Sequence, residues 1–270
     1  LPELPEVETI RRSLLPHVAG ARIVRVDVRE RRLRRPLAPD FEARLRGRRV
    51  GGVDRRGKYL LFDVGDADVL LVHFGMSGSL ELRPGRAPLA PHDHVRLRLD
   101  SGSALVFNDP RRFGLMRVGR VEELSELDSV GPDPLAVRWS PEQLRELTRR
   151  RRLPIKNLLM DQRVLAGIGN IYASEVLYRA GIRPRRSAGR LRRSDLVQLA
   201  VAMPLVLEEA VRLGGSSISD YRDADGRAGF FQMRHAVYDR SGEPCRRCGA
   251  AIRRIVLGGR SSFYCPNCQR

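Results

Sequence analysis

The chain has 270 residues, 42% of them hydrophobic, which is enough for one large domain or two ordinary ones with real cores. Its 50 Lys plus Arg against 32 acids give a formal charge of +18 and a pI near 11.1, an excess that calls for a polyanionic partner, nucleic acid before acidic membrane. No apolar run reaches the roughly 18–20 residues of a membrane span, and acids stand near the N-terminus where a secretory leader would carry bases, so a cytoplasmic protein is expected.

The stretch "PEVETIRRSLL" (5–15) predicts a helix, with Val7, Ile10 and Leu14 on one face, acids first and arginines later, and with Pro16 expected to end or kink it. Strand-like runs follow at 23–28, 58–64, 68–74, 94–99 and 104–107; some alternate and some are continuous apolar segments, punctuated by Gly and Pro. The run at 58–64 begins with Lys58. Only it and Lys156 are lysines, and the other 48 of the 50 basic residues are arginine. His92 and His94 are spaced i, i+2, but no third ligand stands nearby, which argues against a metal there.

The pattern changes near residue 130. "SVGPDPLAVRW" reads as a Gly/Pro linker, and Ser140 with Pro141 and Gln143 makes a capping box that opens a helical region reaching Leu213. Residues 214–231, "GGSSISDYRDADGRAGFF", are polar and glycine-rich and read as a loop. All four cysteines lie in the last 26 residues, as Cys245-x-x-Cys248 and Cys265-x-x-Cys268. That spacing lets four thiolates close round one zinc ion, and the segment between the pairs turns at Gly258–Gly259 as a hairpin would. Two disulfides are the alternative, disfavoured in a cytoplasmic chain with no other cysteine. Four protein ligands leave no open position, so the zinc is expected to be structural. Residues 240–270 hold seven arginines and one acid, Glu243, and Arg260 sits just past the turn, where it could reach a phosphate or a groove.

The chain opens "LPELPEVETIRR". If residue 1 is removed, Pro2 presents a secondary amine, a nucleophile that can form an iminium with an electrophilic carbon, and Glu3 stands beside it as acid or base. An α-amino group titrates near pH 8, far below an ordinary lysine.

Together with the segments "GKYLLF", "HFGMSGSL", "NDPRRFG", "IKNLLMDQ", "AGIGNIYASEVLYRAGI", "GGSSISDY" and "GGRSSFYCPNCQR", this opening resembles the bacterial formamidopyrimidine-DNA glycosylases, which excise 8-oxoguanine and ring-opened purines, and it does so along the whole chain. The resemblance implies an α+β, multidomain fold. Its parts are an N-terminal catalytic two-layer β-sandwich with a leading helix (1–130), a linker (131–139), a helical helix-two-turn-helix domain with a lesion-closing loop (140–236) and a zinc-finger β-hairpin (237–270). Double-stranded DNA is the implied partner, bound in the cleft between the domains, with no partner subunit required.

By the same resemblance, Pro2 attacks C1′ and Glu3 transfers protons, Lys58 assists β-elimination and Arg260 δ-elimination. A lysine at 58 offers a compact titratable amine where an arginine would be planar and fixed in charge. The target nucleotide must leave the stack. Met76, Arg111 and Phe113 match the residues that fill the gap. His73, His92, Arg151 and Asn170 match DNA contacts, mainly to phosphate, with Asn170 after a tight turn at a helix start. Lys156 matches a lysine near the damaged nucleotide, against the alternative of a surface residue at a helix start. The family usually has Met at position 1; Leu1 here is expected to be a start residue that is removed. A sister glycosylase for oxidised pyrimidines and a non-catalytic DNA-lesion-binding protein are the competing readings.

Overall fold

A computed structural model describes residues 2–217, 226 and 228–270. The chain divides into two compact units, one of residues 1–128 with 214–230, the other of residues 129–213 with 231–270.

The first unit opens with α1 (Leu4–Val18). Pro16 falls in its last turn without ending it there, and the helix ends two residues later with Ala19 N–H on the Leu15 carbonyl. Then come β1 (Ile23–Val28), the short α2 (Phe41–Leu45), β2 (Gly52–Arg56), β3 (Tyr59–Asp63), β4 (Asp68–His73), β5 (Ser79–Pro84), β6 (Asp93–Leu99), β7 (Ser103–Asn108) and β8 (Leu115–Arg120). They form two antiparallel four-stranded sheets, ordered β1-β6-β7-β5 and β2-β3-β4-β8. Inward side chains of both sheets, among them Val26, Leu60, Phe62, Val72, Leu97 and Phe107, share one apolar core with Val7, Ile10 and Leu14 of α1. This is the helix-led β-sandwich.

The second unit is helical. Its elements are α3 (Pro141–Thr148), α4 (Ile155–Met160), α5 (Asn170–Arg179) and α6 (Arg193–Arg212), then a hairpin of β9 (Arg253–Leu257) and β10 (Arg260–Tyr264). The capping box at α3 forms as the sequence predicts, with Gln143 N–H on Ser140 Oγ at 3.2 Å and Ser140 N–H on Gln143 Oε1 at 2.8 Å. Two turns join α4 to α5 and make the helix-two-turn-helix element. Its core is Leu158, Tyr172, Val176, Leu199, Met203 and their neighbours. The hairpin turns on Gly258 and Gly259, with φ of 56° and 73°, the left-handed pair that a two-residue turn between twisted strands demands. Among the described residues no helix is long and apolar enough to cross a membrane.

Phe62 is 1% exposed at the centre of the sandwich. Phe62→Ala is expected to destabilise the first unit by about 3–5 kcal/mol, read as an earlier urea midpoint of unfolding.

Candidate functional site

Strand register gathers most first-unit candidates at one end of the sandwich. Arg56 pairs with Tyr59, so Gly57 and Lys58 form a two-residue turn, with Gly57 at φ 59°. Tyr59 pairs with His73, and His73 with Leu115. Lys58, His73, the loop 74–78 with Met76 and the loop 109–114 with Arg111 and Phe113 therefore share one end of a single sheet. In the other sheet Asn108 faces both Ser79 and Asp93, which brings His92 to that end too.

Helix α1 runs antiparallel to β2. Arg11 donates to the Val53 carbonyl at 3.1 Å, and Arg55 donates to Glu8 at 3.0 Å. Continued along the strand, that pairing carries the Gly57–Lys58 turn toward the helix's N-terminal end, where Pro2 and Glu3 stand. Burial would push the Glu8 carboxyl up, but hydrogen bonds from Arg11, Arg12 and Arg55 outweigh it and hold it at about 2.

Pro2 and Glu3 are both buried. Leu1 lies outside the described residues. Glu6, 1% exposed, joins this end to the following loop: its Oε2 accepts Glu3 N–H at 2.8 Å and its Oε1 accepts Ser216 N–H at 2.7 Å. Gly215, at φ 78°, lets the backbone come that close, since a Cβ there would meet Glu6 Oε1 at 2.7 Å. Gly229 packs on the carbonyls of Gly214 and Gly215 and donates to Ser217 Oγ at 2.8 Å, so the two stems of the 214–231 loop are pinched together. Residues 218–225 and 227, half of the predicted 214–231 closing segment, lie outside the described residues.

Met76 and Phe113 are each 46% exposed, although both side chains are large and apolar. The Arg111 guanidinium stacks 4.7 Å from the Phe113 ring centroid. Both loops stand on Asp109, which is fully buried. Its carboxylate accepts Ser77 Oγ–H at 2.8 Å and Gly114 N–H at 2.7 Å, and its backbone carbonyl faces His94 Nε2 at 2.8 Å. His92, exposed and at φ 67°, accepts Asp109 N–H at 3.0 Å through its own carbonyl. His94 is thus bound into the backbone, and no third ligand joins the two histidines among the described residues. Nothing in the sequence singles out Asp109; an acid in "NDPRRFG" reads as an ordinary turn residue.

His73 is half-buried, and its Nδ1 accepts Gly75 N–H at 3.0 Å, which leaves the ring proton on Nε2. Burial, then the charges of Lys58 and Arg34, push its pKa down to about 4. The ring is thereby held toward its neutral form and presents an N–H rather than a charge.

In the second unit Asn170 is the first residue of α5. The turn before it is held by Gln162, which donates to the carbonyls of Met160 and Ile168 and accepts Gly167 N–H, each at 2.8 Å. The Asn170 amide lies 3.5 Å from the hydroxyl of Tyr238, a neighbour that no sequence spacing pointed to. Arg151 and Arg260 are exposed. Lys156 is 1% exposed, which overturns the surface alternative for it: its Nζ donates to Asn170 Oδ1, to Ser262 Oγ at 2.7 Å and to the Ser261 carbonyl at 2.9 Å. Burial pushes the Glu175 carboxyl up against three backbone N–H groups, of Tyr238, Val237 and Ala236, that it holds at 2.8–3.0 Å.

The four cysteine Sγ atoms lie within 4.8 Å of one another. Cys245 and Cys268 are 3.9 Å apart and Cys248 and Cys265 3.5 Å. Those separations exceed a disulfide bond of about 2.05 Å and match the roughly 3.8 Å edge of a tetrahedron with zinc–sulfur bonds of about 2.3 Å. The module is a site for one structural zinc.

Asp109→Ala removes the seat of both exposed loops. A loss of about 3 kcal/mol is expected for these charged hydrogen bonds, with faster amide exchange at Gly75 and Gly114, read by hydrogen-exchange mass spectrometry. His73 and His235 both have folded pKa values near 4, below the usual 6.5, each chiefly through burial. The unfolded chain therefore binds more protons between about pH 6.5 and 4. Stability should fall as pH drops through that window, offset in part by Glu175, whose raised carboxyl takes up its proton earlier in the folded chain, and His73→Gln should flatten the melting-temperature profile there.

Three family models match the chain: "Formamidopyrimidine-DNA glycosylase N-terminal domain" over residues 1–116, "Formamidopyrimidine-DNA glycosylase H2TH domain" over 130–222 and "Zinc finger found in FPG and IleRS" over 242–270. The formamidopyrimidine-DNA glycosylase of Thiobacillus denitrificans is 50% identical to it, with all of each chain covered. Among solved structures, the MutM (Fpg) protein of Thermus thermophilus is 42% identical with a TM-score of 0.88, covering 99% of this chain and 98% of that one. Lactococcus lactis Fpg in complex with Fapy-dG DNA is 34% identical with a TM-score of 0.89, covering 99% of this chain and 100% of that one. Likeness of this degree, in sequence and in three dimensions and from end to end, means that the chain belongs to the formamidopyrimidine-DNA glycosylase family.

Proposed function

We propose that this chain is a base-excision-repair enzyme, a DNA glycosylase and AP lyase that removes oxidised purines such as 8-oxoguanine and formamidopyrimidines from double-stranded DNA. The observation that carries the reading is the setting of the N-terminus: Pro2 and Glu3 at the head of α1, on the side toward which the hairpin brings the Lys58 turn, in a chain 34% identical over nearly its full length to a Lactococcus lactis enzyme solved with Fapy-dG DNA.

In this mechanism Pro2, freed of residue 1, attacks C1′ of the extruded nucleotide with its nitrogen lone pair. The glycosidic bond breaks, its electrons leave with the base, and Glu3 manages the protons. The C1′–O4′ bond then breaks as O4′ takes a proton from Glu3, and the nitrogen lone pair closes onto C1′ to give an iminium that acidifies the C2′ proton. Its removal expels the 3′ phosphate in β-elimination, which Lys58 assists. A second proton loss, from C4′, expels the 5′ phosphate in δ-elimination, the step assigned to Arg260. Met76, Arg111 and Phe113 fill the vacated stack, an apolar tip, a donor for the orphaned base and a ring. His73, His92, Arg151 and Asn170 hold phosphates, and Lys156 acts close to them. The zinc keeps the hairpin folded and takes no part in bond making. The enzyme works as a monomer in the bacterial cytoplasm, on the nucleoid.

Borohydride trapping tests this reading. Protein whose mass shows residue 1 absent should give a covalent adduct with 8-oxoguanine duplex, and Pro2→Gly should reduce it strongly. No adduct from such protein would leave a lesion binder. Adduct with an oxidised-pyrimidine duplex alone would move the chain to the sister specificity.

A further inference from the structure

Lys156 stands near the start of α4, and its charge is buried. A buried ammonium without partners would be driven toward its neutral form. Among the described residues three oxygens, Asn170 Oδ1, Ser262 Oγ and the Ser261 carbonyl, accept from the ammonium, which has three N–H bonds to give. A guanidinium would bring five donors in a plane, a shape these acceptors do not match. The position is thus chemically a lysine position even in a chain with 48 arginines.

The acceptors come from two separate elements. Asn170 begins α5, and Ser261 and Ser262 directly follow Arg260 in β10. The neighbouring Asn157 reinforces the junction, because a Cβ on Gly258 at the hairpin turn would meet Asn157 Nδ2 at 2.5 Å. Helix α4 therefore touches the hairpin on both sides of Arg260.

We propose that Lys156 is a positioning residue that acts through Asn170 and Arg260 rather than by meeting DNA itself. Its ammonium locks the strand that carries Arg260 to the helix end that carries Asn170, so that the phosphate ligand and the δ-elimination arginine are presented as one rigid piece. This inference rests on the roles given to those two residues under the proposed function.

The test uses full-length, zinc-loaded protein on duplex with an abasic site, in single turnover. Products that have undergone β-elimination only are separated from β,δ-products. Lys156→Met should weaken duplex binding and slow δ-elimination relative to β-elimination by about tenfold or more, as a displaced group does, read as the ratio of the two products at saturating DNA. Lys156→Arg should not rescue the ratio. Lys156→Met added to Arg260→Ala should lower it no further. Ser262→Ala, which removes a single acceptor, should act in the same direction more weakly and serves if Lys156→Met does not fold. An unchanged δ-to-β ratio in a variant that keeps one zinc per chain overturns the proposal, as does a uniform fall in every step that matches the loss of folded protein. Failure of the underlying reading looks different, since native protein would then give neither adduct nor δ-product.

Discussion

Several candidate residues that have to reach out of this fold stand on backbone fixed by a buried polar side chain. Asp109 is the clearest case. An exposed loop cannot draw its rigidity from apolar burial, because its working side chains must leave the core. Asp109 solves this from beneath, accepting from one loop and from the other with a carboxylate shielded from water, where competing hydrogen bonds are absent and each bond counts for more. The same device recurs: Glu6 ties the head of α1 to the stem of the 214–231 loop, Gln162 holds the turn before Asn170, and Glu175 gathers three successive amides ahead of the zinc module. The apolar cores make two stable units, and these polar side chains give the exposed loops and turns their geometry.

Charge is used at two ranges. The surplus of +18 acts over distances near a Debye length and draws a polyanion without choosing a sequence. Close to the site, single charges do specific work. Lys58 and Arg34 help to keep His73 neutral, and that neutrality preserves the Gly75 hydrogen bond, which needs an unprotonated Nδ1. A cation at His73 would gain attraction for phosphate and lose the loop that carries Met76.

Much of the sandwich could be read from the chain. The strands at 23–28, 68–73 and 103–108 are rich in valine and leucine and bounded by turn residues, so their hydrophobic pattern and local propensity agree. β2, β5 and β8 escaped because "GVDRR", "SLELRP" and "LMRVGR" carry charge on their outer faces and too few apolar residues to show a period, and pairing with neighbours supplies what propensity lacks. The zinc ligands announce themselves by spacing, whereas Met76 and Phe113 are picked out by the resemblance to the family. Asp109, Glu6 and Glu175 do not, since an acid in a loop or helix is usually solvated and only tertiary contacts reveal that these are buried. Lys156 carried half of its meaning in the sequence, through its rarity; the other half, its burial, needed the hairpin packed onto α4.

The hairpin itself shows why a metal is used here. Its own apolar cluster is small, with Tyr178, Val237, Ile252 and Phe263 beside the cysteines, and a module of this size cannot offset its chain entropy by burial alone. Zinc supplies the missing cohesion, but a tetrahedral ion fixes only the inside of the module and not its direction. Direction comes from the seams with α5 and the turn after it: Tyr178 O–H lies 3.3 Å from Cys245 Sγ, Gln269 bridges Cys265 N–H and the Ile182 carbonyl at 2.8 Å each, and Arg270 N–H meets the Gly181 carbonyl at 3.0 Å. Lys156 closes the opposite side through Ser261 and Ser262. Arg260, at the first position of β10, is thus held from both sides by contacts that leave its own side chain exposed, the rigid seating that the role proposed for it in δ-elimination requires.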